Sequence, residues 1–301
     1  MRVVFMGTPE FAVPSLQALL DAGHEVVGVF TQPDRPAGRG KKLQASPVKK
    51  LAEAHGIPVF QPLRIRKDGV EDLRALAPEV CVTAAFGQIL SQEVLDIPTR
   101  GTVNVHASLL PRHRGSAPIA WAILQGDETV GVTTMLTDKG IDTGAMLLKT
   151  ETPRNPEETC GEMTERLSKI GADLLIETLR KMKEGTLVPI PQDEASMTYD
   201  PMLNKEMGVV DFTQPAKDVA NRILGLNPWP CCGIDIPEGR LKLLRAKAVE
   251  GSGEPGAVLA ADPKQGLVFA CGEGAVEITE LQAPGGKAMK AKDWLRGHKW
   301  G

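Results

Sequence analysis

No stretch of this 301-residue chain approaches the run of about 18 apolar residues that a membrane-crossing helix needs. A spanning segment is excluded on that ground. The apolar start, MRVVFMGTPEFAVP, carries one positive charge and breaks at Gly7-Thr8-Pro9. It is too short for a secretory signal core and lacks a cleavage pattern, so a buried strand and a cytoplasmic location are expected. Cysteine is scarce and scattered: Cys81, Cys160, Cys231, Cys232 and Cys271 form no C-x-x-C, and no Cys/His pair stands at zinc-ligand spacing. Reduced structural thiols and no metal are the expectation. The turn after the first strand, Gly7-Thr8-Pro9, is not a G-x-G-x-x-G fingerprint, and there is no Walker loop, so a nucleotide cofactor lacks support. There is no internal repeat and no low-complexity tract. A dominant charge is missing too: 35 Lys+Arg stand against 38 Asp+Glu, a formal net charge of −3. That balance argues against a generic nucleic-acid coat but leaves room for a local basic patch.

What is present is ordinary for a soluble globular protein, with 42% hydrophobic and 24% charged residues. The length predicts about two domains. The 31 Gly and 23 Pro point to many tight loops. The charge is uneven along the chain. Asp34–Lys50 holds Arg35, Arg39, Lys41, Lys42, Lys49 and Lys50 against one acid, Asp34. The tail from Lys287 holds Lys287, Lys290, Lys292, Arg296 and Lys299 against Asp293. Two basic patches on an acidic body fit an anionic partner touched in two places; two solvated surfaces are the plainer alternative.

Residues 1–6 and 25–30 read as buried parallel strands, with a helix over Pro14–Gly23 between them. The alternation continues. Helices are predicted at Pro47–His55, Val70–Ala77, Ala117–Gln125 and Thr159–Lys183. Strands are predicted at Ile57–Phe60, Val80–Ala84, Val103–Val105, Val130–Leu136 and Ala145–Thr150. This is the grammar of an α/β domain with a mainly parallel sheet. After Gly185 it changes. Prolines punctuate an irregular stretch read as a linker, a short helix follows at Asp218–Leu226, and five strand-like runs from Gly233 onward suggest a small β-barrel. The division expected is a domain over 1–188, a linker over 189–207 and a second domain over 208–301.

The richest stretch for chemistry is VNVHASLLPRHRG, Val103–Gly115. A period of two puts Asn104 and His106 on one face of a strand and Val103 and Val105 on the other. The carboxyl end of a parallel strand is where α/β sheets bind ligands. An Asn amide there can donate to a developing oxyanion, and a His can donate or move a proton. In isolation, N-x-H is equally a strand-end His satisfied by backbone beside a turn-capping Asn. The second stretch is TDKGIDTG, Thr137–Gly144. Asp142 lies between Gly140 and Gly144, which would let backbone approach a ligand closely. A carboxylate near His106 could orient and charge the ring or act as a base. Asp142 could equally serve turn chemistry, and Asp138 ranks below it.

The runs MGTPEFAVPSL, TQPDRPAGRGKKL, HGIPVFQP, NVHASLLPRHRGSAPI and GIDTGAML, in this order, resemble the methionyl-tRNA formyltransferase family. The resemblance extends through the C-terminal PGGKAM and the W-x-R-G run. It implies a Rossmann-like formyltransferase domain with a mainly parallel sheet, followed by an OB-fold-like β-barrel. It implies transfer of the formyl group of 10-formyltetrahydrofolate, as donor co-substrate, to the α-amino group of methionine on initiator Met-tRNA, in a cytoplasmic monomer. By resemblance the catalytic three are Asn104, His106 and Asp142. The folate contacts are Ser108, Leu109, Leu110 and Pro111. The tRNA contacts are Arg35, Arg39, Lys41, Lys42, Arg245, Lys287 and Lys290, with Arg39 foremost. Two positions depart from the family pattern: His113 stands where an aromatic is usual, and Cys231-Cys232 where a small pair is usual. A formyltransferase acting on a small amine, such as a ribonucleotide or an amino sugar, would share the three polar residues but would not need the basic loop or second domain. A formyltetrahydrofolate hydrolase, in which water replaces the amine, is a further reading. A non-catalytic RNA-binding protein would have no use for the three.

Overall fold

The structure, a computed structural model, describes residues 1–37 and 42–300. Arg39 and Lys41 lie outside the described residues. The chain forms two compact units: Met1–Gly115, Gly131–Thr152 and Thr164–Tyr199 in the first, and Ser116–Val130, Pro153–Met163 and Asp200–Gly301 in the second.

The centre of the first unit is a seven-stranded sheet. Its strands are β1 (Arg2–Gly7), β2 (Glu25–Phe30), β3 (Val59–Phe60), β4 (Val80–Ala84), β5 (Thr102–His106), β6 (Thr129–Leu136) and β7 (Met146–Pro153). The spatial order is β7-β6-β5-β4-β1-β2-β3. The pairs β1–β2, β2–β3, β1–β4 and β4–β5 are parallel, whereas β5–β6 is antiparallel. Central parallel strands are covered on both faces and therefore read as unbroken apolar runs. Val3, Val4, Phe5, Met6, Val80 and Val82 are accordingly fully buried. The helix Val13–Asp21 links β1 to β2 and presses Leu16 and Leu19 into the core. The helix Pro47–Ala54 starts at Ser46, whose hydroxyl accepts from the Lys49 N–H, with Pro47 in the first turn. Burial in β4 pushes the Cys81 thiol up to about 12, so it stays protonated and unreactive. Strand order turns at β1, whose neighbours β2 and β4 are reached by excursions to opposite sides. The crevice outside the carboxyl ends of β1 and β4 is the switch point where such sheets take ligands.

The second unit is built on a six-stranded antiparallel sheet. Its strands are β8 (Cys232–Ile236), β9 (Gly239–Val249), β10 (Val258–Asp262), β11 (Gly266–Ala270), β12 (Ala275–Gln282) and β13 (Ala288–Lys290). The order is β8-β9-β12-β11-β10, with β13 on the free half of β12, which makes a half-barrel. Leu241, Leu243, Ile278 and Leu281 point inward against Val219 and Ile223 of the helix Ala216–Gly225. Lys242 and Lys247 alternate outward on β9. The basic tail is more ordered than a solvated terminus. Ala288–Lys290 pairs with β12, and the helix Ala291–Trp294 buries Ala291 and Trp294 in the same core. Among the described residues no helix is long and apolar enough to cross a membrane.

Glu162 anchors one electrostatic cluster of this unit. It forms a capping box with Thr159, accepting from the Thr159 N–H at 3.0 Å while its own N–H donates to Thr159 Oγ1 at 3.3 Å. Its other oxygen accepts from Arg245, which also meets Glu280 at 3.1 Å. The Arg245 guanidinium, foremost, brings the Glu162 carboxyl down from its ordinary 4.5 to about 2. A depressed carboxylate contributes stability above the unfolded value and loses it as pH falls from about 4.5 through about 2. Glu162→Gln is expected to lower the urea midpoint at pH 6 by the equivalent of about 1 kcal/mol, solvent screening keeping the loss modest. The gap from the unsubstituted protein should close by pH 2, and a gap unchanged across that range would remove this account of Glu162.

Candidate active site

β5 carries the two polar side chains expected from the period of two. Its neighbour β4 places Thr83 in register with Asn104, and Thr83 Oγ1 donates to Asn104 Oδ1 at 2.9 Å. That bond fixes which way the amide faces. Asn104 Oδ1 is turned to β4, and Nδ2 is left without a hydrogen-bond partner among the described residues. An amide held by its oxygen and open at its nitrogen is a preorganised donor.

His106, the last residue of β5, is buried. Its Nε2 lies 2.8 Å from the carbonyl oxygen of His113. A carbonyl only accepts, so Nε2 carries the proton. Nδ1 faces Asp142 Oδ1 at 3.6 Å, beyond a direct hydrogen bond but within ion-pair range. The carbonyl that orients the ring comes from a turn in which His113 itself takes a left-handed backbone, φ 58°. That side chain is buried, at the position where the family pattern has an aromatic.

Asp142 also has a left-handed backbone, φ 55°. Its Oδ2 accepts from the Gly115 N–H at 2.8 Å, which leaves Oδ1 toward His106. The flanking glycines are required by the loop's own packing. A Cβ on Gly144 would sit 1.6 Å from the Leu136 carbonyl oxygen, and one on Gly140 would sit 1.9 Å from Thr143 Oγ1. Asp138 is a turn-former, exposed, accepting from Thr143 Oγ1 at 2.6 Å and from the Gly140 N–H at 3.0 Å.

The loop Ser108–Pro111 is held from inside. Ser108 Oγ donates to the Arg112 carbonyl at 2.7 Å. Thr133 Oγ1 donates to the Ser108 carbonyl at 2.7 Å and accepts from the Leu110 N–H at 3.1 Å. Leu110 is fully buried, and the Leu110–Pro111 peptide is cis. Leu109 and Pro111 keep part of their surface open.

Sequence reasoning missed the residues that brace these loops, because they lie in the Pro-rich stretch read as a linker. Gln192 donates from Nε2 to the carbonyls of Asp142 (2.7 Å) and Gly144 (2.8 Å). Its Oε1 accepts from Arg114 Nε at 2.9 Å. Arg114 is buried and forks onto Glu194 at 2.7 and 3.1 Å, which holds that carboxyl below its usual range. Thr198 accepts from the His113 N–H through Oγ1 at 2.7 Å and from the Arg114 N–H through its carbonyl at 2.9 Å.

The basic residues are placed separately. Arg35 and Lys42 stand exposed on an antiparallel hairpin, Arg35–Ala37 against Lys42–Gln44. Lys49 turns inward onto Asp34 at 2.8 Å, so its charge is spent at the base of that hairpin. Lys287 and Lys290 are exposed. Arg245 is already paired with Glu162 and Glu280.

The family described as formyl transferase matches residues 1–179, and the formyl transferase C-terminal domain matches residues 202–299. The chain belongs to the formyl transferase family. Methionyl-tRNA formyltransferase of Trichlorobacter lovleyi is 51% identical over 298 residues, covering 99% of this chain and 94% of its own length. That of Geotalea daltonii is 51% identical over 300 residues, covering 99% and 96%. Within the family, this chain is a member of the methionyl-tRNA formyltransferases. The structure of the N-formyltransferase from Helicobacter canadensis, in complex with folinic acid and dTDP-3-aminofucose, matches with a TM-score of 0.71 at 17% identity. The match covers 92% of this chain and 98% of that one, a likeness of fold. The Rossmann-like domain followed by a β-rich one, expected from the sequence, is the observed order.

Proposed function

We propose that this protein transfers the formyl group of 10-formyltetrahydrofolate to the α-amino group of methionine on initiator Met-tRNA, for translation initiation in the cytoplasm. What supports this reading is that Asn104 and His106 share a face of β5, that Asp142 Oδ1 faces His106 Nδ1 at 3.6 Å, and that the chain aligns over 99% of its length with methionyl-tRNA formyltransferases. In this reading residues 1–188 carry catalysis, 208–301 bind RNA, and the connecting stretch 189–207 also braces the site loops through Gln192, Glu194 and Thr198, in a monomer.

The reaction is direct attack of a neutral amine on the formyl carbon. The carbonyl oxygen gains negative charge as the carbon becomes tetrahedral, and Asn104 Nδ2 is the donor open to receive it. His106 Nε2 is committed to the His113 carbonyl, so Nδ1 is its remaining contact with the reacting groups, shared with Asp142. Asp142 accepts the proton leaving the amine, directly or through a water. A proton from this pair then reaches the nitrogen of the departing folate. Leu109 and Pro111 offer apolar surface to the folate, while Ser108 and Leu110 hold the loop. Arg35, Lys42, Lys287 and Lys290, with Arg39 and Lys41, supply the phosphate contacts, whose affinity falls steeply with salt. Arg245, being paired internally, contributes the least of that set.

The test follows the formyl group. With 10-formyltetrahydrofolate and Met-tRNA, the product is expected to be formyl-Met-tRNA, with formate release slow without an acceptor. Transfer confined to free small amines would sink the tRNA assignment. Formate release at the full rate without acceptor would make the protein a hydrolase.

A further inference from the structure

We propose that Gln192 is the positioning residue for Asp142: its carboxamide pinches the Asp142–Gly144 turn and so sets where the Asp142 carboxylate stands against His106. The inference rests on the reading of Asp142 as the proton-handling group and adds the device that holds it there.

The geometry uses the whole carboxamide. The two amide hydrogens go to the carbonyls of Asp142 and Gly144, at the two ends of a three-residue turn. The oxygen accepts from Arg114 Nε. The donor to that oxygen is itself fixed, because Arg114 is buried and forked onto Glu194. Asp is among the few residues other than glycine that adopt a left-handed backbone, as single residues held by local hydrogen bonds. Asp142 is such a residue, and its carbonyl is one of the two that Gln192 grips. On the side-chain end, one oxygen is tied to the Gly115 N–H and the other faces His106. The peptide clamp and the Gly115 bond together leave the carboxylate a single pose. Gly115 adjoins Arg114, so both halves of the clamp converge on the turn that also offers the His113 carbonyl to His106. Removing the clamp lets the turn relax, and a displacement of about 1 Å can cost 10²-fold in rate.

Two variants separate positioning from folding. Gln192→Met keeps length and shape without hydrogen bonds; Gln192→Glu keeps the shape and the acceptor for Arg114 but loses both donors. Either is expected to lower kcat for formyl transfer by about 10–100-fold, with both KM values within about threefold. On an Asp142→Asn background, the same substitution should lower kcat by less than about threefold, because a residue that acts through another has little left to remove. In the free protein, without any turnover, the ring ¹⁵N resonances of His106 should move in Gln192→Met in the same sense as in Asp142→Asn. The proposal is overturned by a folded variant with kcat near the unsubstituted value, by a full additive loss on the Asp142→Asn background, or by His106 resonances that stay put. If Gln192→Met does not fold, Gln192→Glu decides. An unsubstituted protein that forms no formyl-Met-tRNA would defeat the functional reading alone, since the resonance measurement still judges the clamp.

Discussion

Asn104→Ala is expected to lower kcat by about 10²–10³-fold while leaving both KM values nearly unchanged, as loss of one preorganised oxyanion donor does. The reason lies in the timing of the charge. The formyl oxygen is a weak acceptor in the bound donor and a strong one when the carbon is tetrahedral, so an amide aimed at it acts mainly in the transition state. The aim comes from β4. Thr83 holds Oδ1, and Nδ2 is therefore presented without a search over rotamers. At about 2.7–4 kcal/mol this single donor supplies a large share of the barrier reduction that residues here can give. Steady-state kinetics with formyl donor and Met-tRNA each varied would read it. A rise in KM at constant kcat would mean that Asn104 binds the ground state, and the oxyanion role would fall.

The second large effect is at Asp142. Asp142→Asn is expected to lower kcat by about 10²–10⁴-fold with little change in thermal stability. The substitution is chosen for its backbone. Asn tolerates the left-handed conformation nearly as well as Asp, and its side-chain oxygen can still accept from the Gly115 N–H. The turn is kept and the charge is removed. What is lost is the charge facing His106 Nδ1 at 3.6 Å, the group proposed to take the amine proton. Turnover of the folded variant above about one tenth of the original would leave Asp142 as a turn-former, the plainer role the sequence also allowed.

Much of the scaffold was legible because it follows from local rules. The apolar run Val80–Ala84 is a fully buried strand, and Cys160–Glu184 is one helix with a Thr–Glu capping box at its start. Boundaries moved where tertiary contacts intervened. The strand expected over Ile57–Phe60 begins only at Val59, because the Ile57 N–H returns to the Ala52 carbonyl and Pro58 has no N–H. The strand expected over Val103–Val105 runs to His106, so the imidazole stands in the sheet and not beyond it. The basic tail was legible as charge but not as the half-barrel's last strand and helix, because Trp294 and Leu295 find their burial only against strands already folded.

The site divides the same way. Asn104, His106 and Asp142 were named from residue type, spacing and family resemblance, and the fold brings His106 and Asp142 together. Thr83 had no signal, since its bearing on Asn104 depends on parallel register between β4 and β5. Gln192 had less, lying among prolines in a stretch that reads as tether. Lys49 was counted as basic surface, yet it faces Asp34.

The amino-acid order by itself determined the alternation of strands and helices, the choice of residues 104, 106 and 142 as the polar candidates, and the family. These rest on periodicity and on residue identity, which are local. Only the tertiary structure decided which atom of each polar side chain is turned to the site: Nδ2 of Asn104, and Nδ1 of His106 and Oδ1 of Asp142, which face each other at 3.6 Å. That is settled by hydrogen bonds with Thr83, on the neighbouring strand, with the His113 carbonyl and with the Gly115 N–H. Such partners are chosen by strand register, turn conformation and packing, which residue types and spacing do not specify.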